Sequence, residues 1–232
     1  MLILTVAASM NTPSNSEMLA DAFIEGVRCV EGMQTTKVCL RDLSMEHFTL
    51  AHYDPACPMN DDFCKIQDMM KEAVGIVIAT PIWNFSVPAQ LKNCIDRMGA
   101  FALDAETHSK GQLKGKPFFI IYTGGAPLIA WKALMYITTV HVTEAIKYYG
   151  GLVVGKHFEP KCIKGKGQFG CIVQDRSESL AKMRARGARF ASVAKQYAET
   201  GQLPLSIRLR YSFFTWAYRI GNRIMYPISA RQ

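Results

Sequence analysis

The sequence predicts an α/β fold: a doubly wound, five-stranded parallel sheet in the order 2-1-3-4-5, with a helical extension at its C-terminal end. Three observations carry that prediction. Short apolar runs alternate with helical patterns along the chain. The runs are near-continuously apolar, as strands covered on both faces must be. There are five of them, too few for a barrel of eight. At 232 residues, 49% of them apolar, the chain can bury one large core without disulfide or metal support.

The elements follow in order. "LILTVA" (2–7) is the first strand; the segment lacks the basic start and the length of a signal peptide or membrane span. The polar loop "SMNTPSNS" leads to a helix in which Met18, Leu19, Ala22, Phe23 and Val27 recur at helical spacing. "TTKVCLRDL" (35–43) is the second strand, and 44–60 is a loop rich in Asp, Pro, Asn and His. "DDFCKIQDMMKEA" is a helix whose two leading acids suit its positive end. "VGIVIAT" is the third strand. After "IWNFS", Ser86 is the expected N-cap and Pro88 a first-turn residue of a helix over 87–98. "KPFFIIYT" (116–123) is the fourth strand, "GGA" a tight turn, and 127–149 one long helix ended by Gly-Gly. "LVVGKHF" is the fifth strand, and Asp175 with Glu178 has the spacing of a capping box for a helix running to about Thr200. Residues 1–200 form the predicted domain and 201–232 a basic extension.

Seven cysteines is an odd number without a pairing pattern, and Cys39, Cys94 and Cys171 fall in core segments. They read as reduced thiols of an intracellular, cytoplasmic protein. The net charge of +8 is unevenly spread: residues 1–178 hold 17 Lys and Arg against 18 Asp and Glu, while residues 179–232 hold 10 against the single acid Glu199. The basic character belongs to the tail.

In a sheet of this order, ligands sit beyond the strand C-termini. The loop after strand one offers hydroxyls from Ser9, Thr12, Ser14 and Ser16 and amides from Asn11 and Asn15 at a helix N-terminus, a donor set that suits a phosphate. Without Lys or Arg it fits a cofactor monoester better than a triphosphate; the alternative is a solvated turn with Ser16 as helix cap. After strand three, Pro81 fixes the backbone, Ile82, Trp83 and Phe85 place flat or apolar groups, and N–H groups around Asn84 stay free, as a planar heteroaromatic ligand would use. The alternative packs Trp83 and Phe85 into the core or a dimer interface. After strand four, Thr123, Gly124 and Gly125 allow positive φ and close approach of a ligand edge.

Together, "SNS" at 14–16, "TPIWNFSVPAQLKNCIDR" and "TGG" at 123–125 resemble the flavodoxin-like NAD(P)H-dependent FMN reductase and quinone reductase family, over roughly residues 1–155. The resemblance implies that Ser9, Asn11, Ser14, Asn15 and Ser16 hold the FMN phosphate. It also implies that Pro81, Ile82, Trp83, Asn84 and Phe85 line the ribityl chain and one ring edge, and that Thr123 to Gly125 approach the pyrimidine edge. The implied reaction takes hydride from NADPH or NADH through flavin N5 to a quinone, flavin or other small acceptor, with no side-chain general base. Its flavin sites are commonly completed by a homodimer. Two departures stand out: the first loop reads Ala8-Ser9-Met10-Asn11 where the family has Gly-Ser with a nearby arginine, and Ile82-Trp83 replaces a common Tyr. The iron-sulfur flavoproteins are a related branch whose tight cysteine cluster is absent, since only Cys57 and Cys64 flank "PMNDDF". Two other classes fit the residues: an FMN electron carrier that reacts poorly with nicotinamide, and a flavin-free interaction or membrane-docking module.

Other motifs fail their context. His47, His52, Cys57 and Cys64 match no standard metal spacing. "GKGQFG" (165–170) neither follows a first strand nor opens a helix, and "GQLKGK" (111–116) precedes a strand. His141 and His157 read as structural. In the tail, Arg208, Ser212, Thr215, Arg219, Asn222 and Arg223 form one narrow stripe on an otherwise apolar helix. That pattern suits an anionic membrane surface at the inner face, or packing on its own domain or a partner subunit; nucleic acid is disfavoured without a basic, aromatic-interleaved groove elsewhere.

Overall fold

The computed structural model describes residues 1–54, 61–165 and 170–209. Five strands, β1 (Leu2–Ala7), β2 (Gln34–Cys39), β3 (Gly75–Pro81), β4 (Pro117–Thr123) and β5 (Leu152–Glu159), form one sheet in the order β2-β1-β3-β4-β5, every pairing parallel. Among the described residues six α-helices accompany them: α1 (Asn15–Arg28), α2 (Phe63–Glu72), α3 (Ala89–Ala102), α4 (Leu128–Ala133), α5 (Val140–Tyr148) and α6 (Ser177–Thr200).

The inner strands are apolar throughout because alternate residues serve different layers. Ile3, Val77, Ala79, Phe119 and Ile121 pack with Leu19, Phe23, Met183 and Phe190 of α1 and α6. Their neighbours Leu4, Val6, Ile76, Ile78, Phe118 and Ile120 pack with Phe63, Leu91, Ile95 and Ile146 on the other face. Full two-sided burial holds for β1, β3 and β4 only, apart from the first residue of β1; β2 and much of β5, at the sheet margins, are half-covered.

On the first face, α1 and α6 meet backbone to backbone. A Cβ built on Gly26 would lie 1.9 Å from the Arg184 carbonyl oxygen, and one on Gly187 would lie 2.0 Å from that of Phe23. No side chain fits at either position. α6 begins beside the C-terminal end of β5, where Arg176 and Ser179 bond Glu159. It ends at the opposite edge, where Tyr197 bonds the Lys114 carbonyl before β4 and Lys195 that of Glu31 before β2. Twenty-four residues at 1.5 Å each are enough to cross a sheet of seven-residue strands.

Four predicted boundaries differ. The second strand, expected over 35–43, ends at Cys39 and gives way to a 3₁₀ turn at Leu40–Asp42. α3 starts at Ala89 with Pro88 at its cap, because Ser86 is held in a reciprocal backbone pair with Trp83 and the chain passes extended through Pro88 (φ −54, ψ 146). The predicted 127–149 helix is broken into α4, a 3₁₀ segment (Met135–Thr139) and α5. The β-branched run Ile137 to Val140 disfavours continuous α-helix, and the Thr139 hydroxyl bonds the Tyr136 carbonyl. The expected Asp175/Glu178 box does not form: Asp175 lies in a 3₁₀ turn, and Arg176 caps α6 without a side-chain bond to it.

On the second face, Arg97 of α3 is fully buried. Its guanidinium pairs with Asp61 (2.7 and 3.1 Å), donates to the Glu46 carbonyl and lies 4.7 Å from the Phe63 ring centroid. Asp61 also accepts from the N–H groups of Glu46 and Phe63, so one ion pair ties the backbone at residue 46 to the start of α2. Lys116, buried before β4, caps the other end of α2 through the Met70 and Lys71 carbonyls.

Candidate functional site

Parallel register brings the strand ends to one edge: Ala7 lies opposite Ala79, Pro81 opposite Thr123, and Thr123 opposite Glu159. The loops after β1, β3 and β4 are therefore neighbours, as the strand order predicts. Ala8 continues the ladder by donating to the Ala79 carbonyl, and Ile82 by donating to that of Thr123.

The loop after β3 is a two-residue hairpin turn. Trp83 and Ser86 exchange backbone hydrogen bonds of 2.8 and 2.9 Å, and the two residues between them, Asn84 and Phe85, have φ of 48° and 65°. Left-handed backbone at both central positions is the pattern of a type I′ turn, which ordinarily takes Asn-Gly. Asn84 suits the first position; Phe85 at the second costs about 1–2 kcal/mol of steric strain. Phe85 is 68% exposed, so core packing does not repay that cost. Among the described residues the N–H groups of Asn84 and Phe85 make no hydrogen bond. Pro81 is buried; Ile82 and Trp83 are half-buried. The core-packing alternative is thus excluded for Phe85.

The first loop divides its donors. Ser9, Ser14 and Ser16 are buried. The Ser14 hydroxyl caps α1 by accepting from the Glu17 N–H and lies 3.1 Å from the Ser16 hydroxyl. The Ser9 hydroxyl accepts from the Asn11 N–H. Ser14, not Ser16, is the N-cap, and the N–H groups of Asn15 and Ser16 have no partner within the helix. Asn11 and Thr12 are exposed. Asn15 has a different job from the expected one: its amide NH₂ donates to the Gly170 carbonyl and its oxygen accepts from the Ile172 and Val173 N–H groups.

Gly124 and Gly125 do not have positive φ. Their lack of a side chain serves close packing instead, since a Cβ would come 3.0 Å from the Phe158 ring at Gly124 and 3.0 Å from Ile163 at Gly125. Phe158 stacks on Trp131 of α4 at 4.6 Å between centroids. Beyond the turn, Leu128 and Ile129 of α4 and Leu134 and Ile137 after it stand exposed, Ile129 at 82%.

A segment that the sequence did not single out completes this edge. Gly124 donates to the Glu159 carbonyl, Cys162 donates to that of Gly124, and Lys161 to that of Ala126. The Glu159 carboxylate is buried, with His157 Nε2 at 3.0 Å, Arg176 at 2.6 Å and the Ser179 hydroxyl at 2.9 Å. Burial would raise its pKa, but those three hydrogen bonds hold it at about 2. Burial, with Arg186 and Lys182 nearby, lowers the pKa of His157, which as a neutral imidazole still donates from Nε2. One signal was available: Glu159 and Arg176 are opposite charges on either side of an otherwise unassigned connection. Glu17 is held at about 2 chiefly by its bond from Arg41, against burial, with Lys37 assisting. Arg41 therefore ties β2 to α1 and is not free for an anion.

Among the described residues no group of three His, Cys, Asp or Glu is placed to hold a metal ion. His52 accepts from the Thr49 N–H, and Cys57 lies outside the described residues. No described helix is long and apolar enough to cross a membrane. Most of the "GKGQFG" stretch and the tail pattern beyond Leu209 also lie outside them.

Comparison with known proteins fits this geometry. The chain is 49% identical over 53 residues to an FMN-dependent NADH:quinone oxidoreductase of Shewanella sp. (strain W3-18-1), a match covering 22% of this chain and 27% of that protein. It is 27% identical over 192 residues to a Clostridium botulinum protein of the same description, covering 72% and 87% respectively. The Shewanella match thus spans only about a quarter of that relative's length. Among solved structures, an NAD(P)H:quinone oxidoreductase from Methanothermobacter marburgensis superposes with a TM-score of 0.63 at 16% identity, covering 82% of this chain and 96% of that one, a likeness of fold. The family model described as NADPH-dependent FMN reductase matches residues 1–146, the stretch that contains all three loops of the strand-end edge, and the chain belongs to that family.

Proposed function

We propose that the chain binds FMN at this edge and is an NAD(P)H-dependent oxidoreductase that passes electrons to a quinone or another small acceptor. The observation that carries the reading is the strained Asn84–Phe85 turn, whose N–H groups are unbonded and whose aromatic ring is exposed at the end of β3. Strain maintained without a packing return is characteristic of a ligand clamp. Loops suited to a phosphate and to a ring edge flank it.

The donor set fits FMN. The phosphate would be held by the N–H groups of Asn15 and Ser16 at the positive end of α1, with Asn11 and Thr12 from the exposed side and Ser9, Ser14 and Ser16 shaping the loop beneath. Pro81 to Phe85 would flank the ribityl chain and one ring edge, the Asn84 and Phe85 N–H groups bonding the ring. Thr123, Gly124 and Gly125 would border its other edge. When bound, the flavin supplies reversible two-electron chemistry; the chain holds it, aligns the nicotinamide and limits water. No side chain at this edge is required to move a proton.

A single preparation tests the reading. The purified protein should be yellow, release FMN on denaturation, and bleach on anaerobic addition of NADPH or NADH, with colour restored by a quinone. A colourless protein that cannot be reconstituted with FMN would refute it; a yellow protein that neither nucleotide bleaches would be an electron carrier instead.

The exposed apolar residues of α4 and the turn after it favour a homodimer. Ile129→Glu with Ile137→Glu should convert a dimer to monomer in analytical ultracentrifugation. Residues 201–232 are read as a peripheral contact to an anionic membrane, supported by their charge and by the exposure of Leu205 and Leu209. Truncation after Leu203 should abolish binding to anionic vesicles while leaving the dimer intact; loss of the dimer would assign the tail to the subunit interface.

A further inference from the structure

Two segments between β5 and α6, residues 159–162 and 170–176, touch two of the three site loops and each other. At one end Lys161 and Cys162 bond the Ala126 and Gly124 carbonyls, and Arg176 donates to the Glu159 carboxylate and to the Pro160 and Lys161 carbonyls. At the other end the Asn15 side chain gathers Gly170, Ile172 and Val173 against the first turn of α1. The forked Arg176 contact fixes the bend of the 159–161 backbone, and the Glu159 carboxylate that anchors it is itself held by His157 and Ser179. We infer that segment 170–176, tied to 159–162 through Arg176, is a brace between the Gly-Gly turn and the start of α1, and that Glu159, Arg176 and Asn15 are positioning residues for the flavin, Glu159 and Arg176 at its ring end and Asn15 at its phosphate end.

The physical basis is transmission through short, directional bonds. Gly124 is hydrogen-bonded on both sides by segment 159–162, to the Glu159 carbonyl through its N–H and to Cys162 through its oxygen. A relaxed 159–162 bend therefore moves the turn itself. Glutamine at 159 removes the charge that pairs with Arg176 and puts an NH₂ where an oxygen faced His157 Nε2, so that contact survives only if the imidazole changes tautomer. Alanine at 15 frees the 170–173 segment and leaves the Ile172 and Val173 N–H groups unpaired.

The inference rests on the FMN reading, and the experiment separates the two. Apoprotein of the wild-type chain, Glu159→Gln, Arg176→Lys and Asn15→Ala is titrated with FMN and with riboflavin, read by flavin fluorescence and visible absorption, alongside thermal unfolding of each apoprotein. Glu159→Gln and Arg176→Lys should weaken FMN and riboflavin alike, by about tenfold, and shift the visible bands of the bound flavin. Asn15→Ala should weaken FMN about tenfold more than riboflavin, because the loss falls at the phosphate end. Should Glu159→Gln fail to fold, Glu159→Gln with Arg176→Gln removes the unpaired, partly covered charge and is read the same way. Variants that melt at lower temperature yet bind both flavins with wild-type affinity and wild-type spectra overturn the inference, leaving the network a stabiliser only. A wild-type chain that takes up neither flavin refutes the FMN reading itself.

Discussion

The two faces of the sheet are built differently. Under α1 and α6 the layer is closed by contact of backbones, with Gly26 and Gly187 leaving no space for a side chain and the Phe23, Phe119 and Phe190 rings filling the rest. Over α2 to α5 a packed apolar core, with Phe63, Met70, Leu91, Ile95 and Ile146 against the sheet, is supplemented by polar point attachments: the buried Arg97–Asp61 pair, the Lys116 cap and the Tyr122 hydroxyl on the Thr139 carbonyl. It leaves apolar side chains of α4 in water. The first face fixes the frame; the second carries irregular segments and the surface through which a partner would be met. A close-packed face tolerates no added volume. The second face is sensitive in addition to the loss of a buried polar anchor.

Substitutions that distinguish these modes test the contrast. The largest effect is expected from Arg97→Met, which strands Asp61 inside the protein and should cost about 3–5 kcal/mol in urea unfolding; Asp61→Asn with Arg97→Met should recover much of it. Next, Gly187→Ala should cost about 1–3 kcal/mol by forcing α6 away from α1, whereas alanine at exposed Gly201, whose φ of 66° is its only special feature, should cost about 1 kcal/mol. Phe85→Asn should stabilise the protein by about 0.5–1 kcal/mol by relieving the left-handed turn, while weakening FMN retention on a desalting column. A protein more stable and less able to hold FMN would separate strain kept for binding from strain left by chance.

The pH response differs between the faces. Lys116, on the point-attached face, is pushed down to about 8 by burial. Its folded pKa lies below the unfolded value, so the unfolded state binds more protons between pH 8 and 10.5, and stability rises with pH across that window. The difference between wild type and Lys116→Met in urea melts at pH 8 and pH 10 should show this slope. Glu17 and Glu159, both associated with the close-packed face, are held at about 2. Their contribution is present above pH 4.5 and is lost as pH falls toward 2. The neutral, buried His157 adds to the loss as pH falls below its ordinary value, so acid should loosen the β5–α6 contact first. Hydrogen exchange at pH 5 and pH 7 across 152–162 measures it.

Strand order and the edge at which the loops meet were legible because apolar runs and helical spacing report burial, and burial follows from the layers. The same logic placed Ser14, Asn84 and Thr123 at one edge. What could not be read was how local polar groups are shared. Ser86 looks like a helix cap until the hairpin pair with Trp83 claims its backbone. Asn15 looks like a phosphate donor until segment 170–173, more than 150 residues away in sequence, takes its amide. The Gly-Gly turn looks like a positive-φ turn until Phe158 and Ile163 show how closely it is packed. Each depends on a long-range partner that carries no local periodicity. Phe85 breaks the usual turn rule, the kind of local violation that natural proteins keep mainly at functional or strained sites.

The path of α6 has an architectural consequence. Its last turn lies at the sheet edge opposite the strand-end loops, anchored near Glu31 and Lys114, and the N-terminal amine lies at that same pole, bonded to the Gly32 carbonyl. Met1 and the end of α6 therefore both lie on the side facing away from the strand-end loops. A chain tethered there to a bilayer, a resin or a fused domain would turn those loops toward solution, leaving the edge proposed for FMN unobstructed by the attachment.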